Sequence, residues 1–227
     1  QNYSSFVGMH PVPIVYGMTI GEYALMINGE GWLKNNLVCD LMVVKLQSYS
    51  RYDAINYEFS YPPSPNLPNM NAVALYPSLC LFEGTVISIG RGTDHPFEVF
   101  GAPFFNNDSI LSNFDFIPEP NFGSKKPKYN GESCHGWLLS NQINTIQKDL
   151  VNWNKNELNL NFLIHAYNNT PPIHRVDFFN SFFENLAGNG KLKTQIINGI
   201  SIDKIRKSWA YDIENFKAIR IKYLLYD

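Results

Sequence analysis

Apolar residues recur at helical spacing in several separate stretches of the 227-residue chain and cluster like strands in only a few. Thr19-Ile20-Gly21-Glu22 has the form of a capping box, with Thr19 as N-cap and Glu22 reaching back from the third helical position. A helix is predicted through Tyr23, Leu25, Met26 and Ile27, stopped at Gly29 or Gly31. Leu37 to Leu46 predicts a strand, with β-branched bulk at Val38, Val43 and Val44. Asn71 to Leu81 predicts a short helix, and Val99 to Phe105 a strand or extended piece. Tyr129 to Ser140 reads as a Gly-punctuated loop entering a strand at Trp137, Leu138 and Leu139. From residue 142 onward the period is helical: Ile143, Ile146 and Leu150, then Leu158, Phe162 and His165. Phe178, Phe182, Phe183 and Leu186 form an apolar stripe with Gly188 as its stop. Ser201 opens a last helix through Ile205, Trp209, Ile213, Phe216 and Ile219. The expected class is α+β. A loop-rich mixed α/β part, residues 1–140, carries Pro/Gly-rich cleft loops, and a mainly helical scaffold part follows, residues 141–227.

Composition narrows the partners. Charge is nearly balanced, net −2 with a pI near 6.2, and no basic stripe stands out, so nucleic acid is not an expected partner. No apolar run approaches the roughly 20 residues that span a bilayer. Cys39, Cys80 and Cys134 are an odd number at wide spacings, which offers neither a disulfide framework nor a zinc knuckle. Cys39 and Cys80 read as small core residues. The chain starts at Gln1 rather than Met, which is expected of a processed or partial product. Aromatic residues make up 15% of the chain. They are read either as a Tyr- and Phe-rich core or, in part, as rings lining a carbohydrate groove.

The densest candidate chemistry lies in residues 76–103. Glu83, Arg91, Thr93, Asp94 and Glu98 stand there among Gly84, Gly90, Gly92 and Gly101. Glycine lets backbone approach a ligand or take positive φ, so charges interleaved with glycines suggest a loop that positions polar groups. Glycoside hydrolysis takes a carboxylic acid to protonate the leaving oxygen and a second group as nucleophile, base or stabiliser. Glu83 follows an apolar run and precedes a glycine, which makes it the leading carboxylate. The competing assignment is a structural carboxylate paired with Arg91 or capping amides. Arg91 suits a bidentate pair with a substrate carboxylate, or an internal pair with Glu83 or Asp94. Thr93 and Ser88 offer hydroxyls to a sugar. Gly90-Arg91-Gly92-Thr93 lacks the spacing and Lys-Ser/Thr ending of a phosphate loop. Cys134 and His135 are adjacent on an extended segment, so their side chains point apart, and no metal site is expected from them. His165 reads as a satisfied histidine on an apolar helix face. No cofactor is expected.

Several of these stretches carry a family resemblance in their order: Gly17-Met18-Thr19-Ile20-Gly21-Glu22, Ser64-Pro65-Asn66-Leu67-Pro68, Tyr76-Pro77 and Cys80-Leu81-Phe82-Glu83-Gly84-Thr85. Gly90-Arg91-Gly92-Thr93, Pro96-Phe97-Glu98, Gly101-Ala102-Pro103, Gly131 and the Cys134, Gly136 pair follow, then a C-terminus reading Arg220 to Tyr226. Together they are similar to the bacterial exo-β-N-acetylmuramidase (NamZ, YbbC-like) family. The resemblance implies a glycoside hydrolase that releases N-acetylmuramic acid from non-reducing ends of peptidoglycan fragments. It implies a periplasmic or extracellular location, secreted or lipid-anchored. By resemblance, Arg91, Ser64 and Asn66 are cleft residues, Arg91 suiting the lactyl carboxylate, and Glu83 is a second carboxylate; the loop itself adds Thr93 and Asp94 as substrate-binding candidates and makes Glu83 the catalytic candidate.

Such proteins begin with a Rossmann-like region carrying a Pro-Glu-His-Gly motif. The nearest segment here is Pro118-Glu119-Pro120, which is not that motif. The expectation is therefore that only the C-terminal portion is present and that the main acid belongs to a partner N-terminal Rossmann-like domain of the same protein. A non-catalytic carbohydrate or cell-wall binding module, or a purely structural domain, is the alternative.

Overall fold

A computed structural model of the chain describes residues 3–51, 57, 59–105, 114–139 and 158–227. They group into two compact units, Gln1–Glu58 with Asp203–Asp227, and Phe59–Ile202.

In the first unit, α1 (Ile20–Gly29) starts as its sequence requires. The Thr19 hydroxyl accepts from the Glu22 N–H, and the Glu22 carboxylate accepts from the Thr19 N–H at 2.7 Å. The same carboxylate is fully buried and also takes the Leu225 N–H and the Arg51 guanidinium. Burial pushes the Glu22 carboxyl up, but these donors outweigh it and leave it below the ordinary carboxylate range. A local cap thus doubles as the tie between α1 and the C-terminal tail.

The expected strand at 37–46 has no ladder partner among the described residues. It runs extended and open, with Val38 81%, Met42 87% and Val44 87% exposed. Cys39 is likewise exposed rather than a core residue, its backbone held at both ends by the Asn28 side chain. β-branched bulk sets a strand-like backbone but cannot supply the neighbour that a ladder needs.

The second unit opens with α2 (Met70–Leu79), capped by Asn69, which runs directly into a 3₁₀ turn, Cys80–Gly84. Three antiparallel strands follow, β1 (Val99–Ala102), β2 (Phe114–Phe116) and β3 (Cys134–Leu138), ordered β1-β3-β2. Segment 85–89 lies beside β1 through paired Ser88 and Gly101 hydrogen bonds of 2.8 and 2.9 Å. Phe82, Phe100, Trp137 and Phe162 stack across this layer at 4.9–6.0 Å between ring centroids. Most buried rings are therefore core, as expected of a Phe-rich chain.

From Asn161 the described elements are helical: α3 (Asn161–Asn169), α4 (Pro172–Arg175), α5 (Phe183–Ala187), α6 (Lys191–Ile197) and α7 (Ile202–Arg220). Gly188 takes the left-handed conformation just past α5, where a stop was predicted. His165 packs edge-on against Trp137, and burial pushes its imidazole down. The periodic stretch at 143–150 lies outside the described residues. Strands confined to 99–138, with helices both before and after them, make the described chain α+β. No described helix is long and apolar enough to cross a membrane.

Candidate functional site

Within the second unit, Glu83 occupies the 3₁₀ turn that extends α2. Its position is fixed from both sides. A Cβ on Gly84 would sit 2.5 Å from the Phe183 Cα, so only glycine lets α5 approach behind the carboxylate. The Asn180 amide donates to the Glu83 carbonyl at 3.3 Å, and the Asn180 N–H to the Gly84 carbonyl at 2.9 Å. Lys128 supplies the third support. Its ammonium donates to the carbonyls of Phe82, Thr85 and Ile87. Burial pushes Lys128 down to about 8, against the pull of nearby Glu83.

Arg91 reaches the carboxylate from a separate turn. Gly90 and Gly92 flank it at φ +72° and +87°, values that favour glycine. The turn closes through the Thr93 N–H to the Gly90 carbonyl and is anchored by the Glu119 N–H on the Gly92 carbonyl. Arg91 Nη1 donates to Glu83 Oε1 at 2.7 Å, and both side chains reach solvent, at 39% and 28% exposed. The internal pair with Glu83 that the sequence left open is present, and it lies at the solvent boundary. Arg91 Nη2 and the Asn66 amide converge on one acceptor, the Gly123 carbonyl, at 3.4 and 2.7 Å.

Ser64 lies on the same turn as Asn66, its hydroxyl accepting from the Asn66 N–H at 3.3 Å. The Thr93 hydroxyl is spent locally, donating to the Gly90 carbonyl and accepting from the His95 N–H. Asp94 is exposed on that loop. Glu98 is buried and accepts from the Asn69 amide at 2.6 Å, which ties it to the α2 cap. The fold thus brings Arg91 and Asn66 together at Gly123, with Glu83 paired to Arg91, Ser64 on the Asn66 turn, and Thr93 and Asp94 on the adjoining loop.

Two cysteines are held as thiols rather than thiolates. Burial, with a contribution from Glu83, pushes the Cys80 thiol up to about 12, and burial does the same to Cys134. Cys134 packs among Val99, Phe116 and Leu138, whereas His135 pairs with Asp115 at 2.7 Å on the other face. Sequence reasoning missed Lys128, since nothing local marks a lysine that serves carbonyls more than 40 residues away. It also passed over Tyr76 as a site residue, although its spacing of four and seven residues from Cys80 and Glu83 was a readable signal.

Comparison with known proteins identifies the family of the chain. The model of the C-terminal region of exo-β-N-acetylmuramidase NamZ matches residues 74–226, and the model of its N-terminal region matches residues 1–71. The second match corrects the expectation that only the C-terminal portion is present. A peptidoglycan β-N-acetylmuramidase NamZ of Bacillus subtilis is 35% identical across 99% of this chain and 54% of its own length. A DUF1343 family protein of Bacteroides fragilis, known from its crystal structure, is 44% identical with a TM-score of 0.87, over all of this chain and 60% of that one. A second B. fragilis structure of that family, at 21% identity and a TM-score of 0.73, shares the fold. The chain spans about half the length of the curated relative it matches. With family models covering nearly every residue from 1 to 226, the chain belongs to the NamZ exo-β-N-acetylmuramidase family.

Proposed function

We propose that this chain provides one wall of the saccharide site of a peptidoglycan-degrading exo-β-N-acetylmuramidase, which releases N-acetylmuramic acid from non-reducing ends. The observation that carries the reading is the solvent-reaching Glu83–Arg91 pair, held on two separately braced turns. A guanidinium with several donors in a planar fork can keep Glu83 on one edge and take the lactyl carboxylate of muramic acid on another. Glu83 Oε2 then remains an acceptor at the sugar and can act as the second carboxylate of the reaction. In this reading Asn66 and Ser64, on the turn facing Gly123, line the saccharide site, with Thr93 and Asp94 at its rim.

The proton donor is assigned to a Rossmann-like part of the N-terminal region that this chain does not span, its residues 1–71 matching only that region's family model within a chain about half the relative's length. Two observations support that assignment. The curated relative extends well beyond the matched region. Segment 37–46 exposes Val38, Met42 and Val44 on one side and Leu37 and Leu41 on the other, as a strand covered on both faces would. With that substrate, the location we propose is the periplasm or the outside of the cell, secreted or lipid-anchored.

The reading is tested with a nitrophenyl N-acetylmuramide. The chain alone should release little chromophore, and joining it to the remaining part of the family's N-terminal region, beyond what residues 1–71 match, should restore release. Robust release by the chain alone would refute the assignment of the acid to a partner domain and make Glu83 the acid. Saturable binding of muramic-acid disaccharide with no hydrolysis in either form would favour a binding module.

A further inference from the structure

Tyr76 lies one turn before Cys80 and two before Glu83 on a helical path unbroken from Met70 to Gly84. Spacings of four and seven residues put these three side chains on one face. The Tyr76 side is open to solvent, at 39% exposed, whereas Ala72, Leu75, Ser78 and Leu79 of α2 are buried. Behind it lies Phe97, 4.8 Å away between ring centroids and tilted by 48°.

Phe97 is itself buried and held at φ +58°, a conformation that a bulky residue takes only under constraint. The constraint comes from its own N–H on the Ile89 carbonyl at 2.8 Å and the Glu98 N–H on the His95 carbonyl at 3.1 Å. Strained residues of this sort gather where a surface must be shaped for a ligand. Here the strain seats one ring as the backing of another. Burial pushes the Tyr76 phenol up. Cys80 and Glu83 add to the rise and Arg91 opposes it, so both members of the ion pair lie within electrostatic reach of this ring.

We propose that Tyr76 is the stacking platform of the saccharide site, taking the apolar face of a pyranose on its ring while the sugar's anionic substituent meets Arg91. The proposal rests on the reading under Proposed function and adds the residue that selects a flat sugar ring rather than any carboxylate. A simple anion such as lactate would use Arg91 without using Tyr76. An aromatic face offers broad, rigid contact with few torsions to freeze, which suits an open wall of a cleft.

The test is proton NMR of a disaccharide with N-acetylmuramic acid at its non-reducing end, titrated with the 227-residue chain and with Tyr76→Phe, Tyr76→Ala and Arg91→Ala. The unsubstituted chain and Tyr76→Phe should give the sugar ring protons the upfield shifts of an aromatic face, with affinities within about threefold of each other. Tyr76→Ala should lose those shifts and about tenfold in affinity, equivalent to about 1.4 kcal/mol. Should Tyr76→Ala fail to fold, Tyr76→Leu carries the test, since it covers Phe97 without a π face. Loss of the shifts in Tyr76→Leu supports the platform and their retention overturns it. If Tyr76→Ala binds like the parent while Arg91→Ala does not, the platform is overturned and the saccharide reading stands. If the unsubstituted chain binds no disaccharide, the saccharide reading falls and the platform with it.

Discussion

Removing the Lys128 ammonium while keeping its stem, as in Lys128→Met, should destabilise the second unit by about 2–3 kcal/mol. The figure follows from the three carbonyls. Phe82 keeps two other donors, the Thr85 N–H at 2.9 Å and the Thr85 hydroxyl at 2.8 Å. Thr85 and Ile87 have no second donor to their carbonyls among the described residues, and both residues are buried. An orphaned buried acceptor costs about 1–3 kcal/mol, and relief from desolvating an ammonium returns part of that for the pair. Urea unfolding followed by circular dichroism measures the change, with the m-value unaltered.

The pH dependence gives a second readout of the same residue. Folding lowers Lys128 from an ordinary 10.5 to about 8, so between those values the unfolded chain binds more protons. The part of the stability that comes from shedding this proton is therefore fully present above 10.5 and is lost as pH falls through about 8, and it adds to what the carbonyl contacts contribute below 8. The stability gap between the parent and Lys128→Met should widen as pH rises from 8 toward 10, other lysines and tyrosines cancelling in the difference. A destabilisation under about 0.5 kcal/mol, together with a flat gap, would refute the assignment of Lys128 as the brace of the Glu83 turn.

The Glu83–Arg91 pair is expected to matter for function far more than for folding. Both side chains reach solvent, so Glu83→Gln and Arg91→Ala should each change stability by less than about 1 kcal/mol. If Glu83 acts as a catalytic carboxylate in the complete enzyme, Glu83→Gln should cost several hundredfold in turnover, within the roughly 10²–10⁴ range of acid–base contributions, as read by nitrophenyl N-acetylmuramide release. Glu22 behaves in the opposite way: Glu22→Gln should cost about 2–4 kcal/mol in denaturant unfolding, because it leaves Arg51 without its buried counter-charge. The Glu22 carboxyl is lowered from 4.5 on folding, so its contribution is present above that pH and lost as acid protonates it in the folded state. Acid unfolding of Glu22→Gln should accordingly lack the component that the parent shows below about pH 4.5.

What the sequence by itself determined is local. Thr19 and Glu22 sit three residues apart and bond each other within one turn. Gly188 ends α5 by its own backbone freedom, and Gly90 and Gly92 bend the chain around Arg91 for the same reason. Even the pairing of Glu83 with Arg91 stood among the readings open beforehand, because eight residues separate them and a Gly-rich turn brings them back. The remainder depended on contacts between distant segments. Lys128 reaches carbonyls 41 to 46 residues earlier, and Asn66 meets Gly123 across 57 residues. No periodicity encodes such meetings, since they arise when separately formed elements pack.

Segment 37–46 marks that boundary most clearly. Its valines and leucines dictate an extended, apolar stretch, yet a strand is a relation between two backbones, and only a neighbour can complete it. Tyr76 shows the converse. Its helical register was legible, but the strained Phe97 ring that backs it came only from tertiary packing around β1, which holds a backbone conformation the residue would not choose alone.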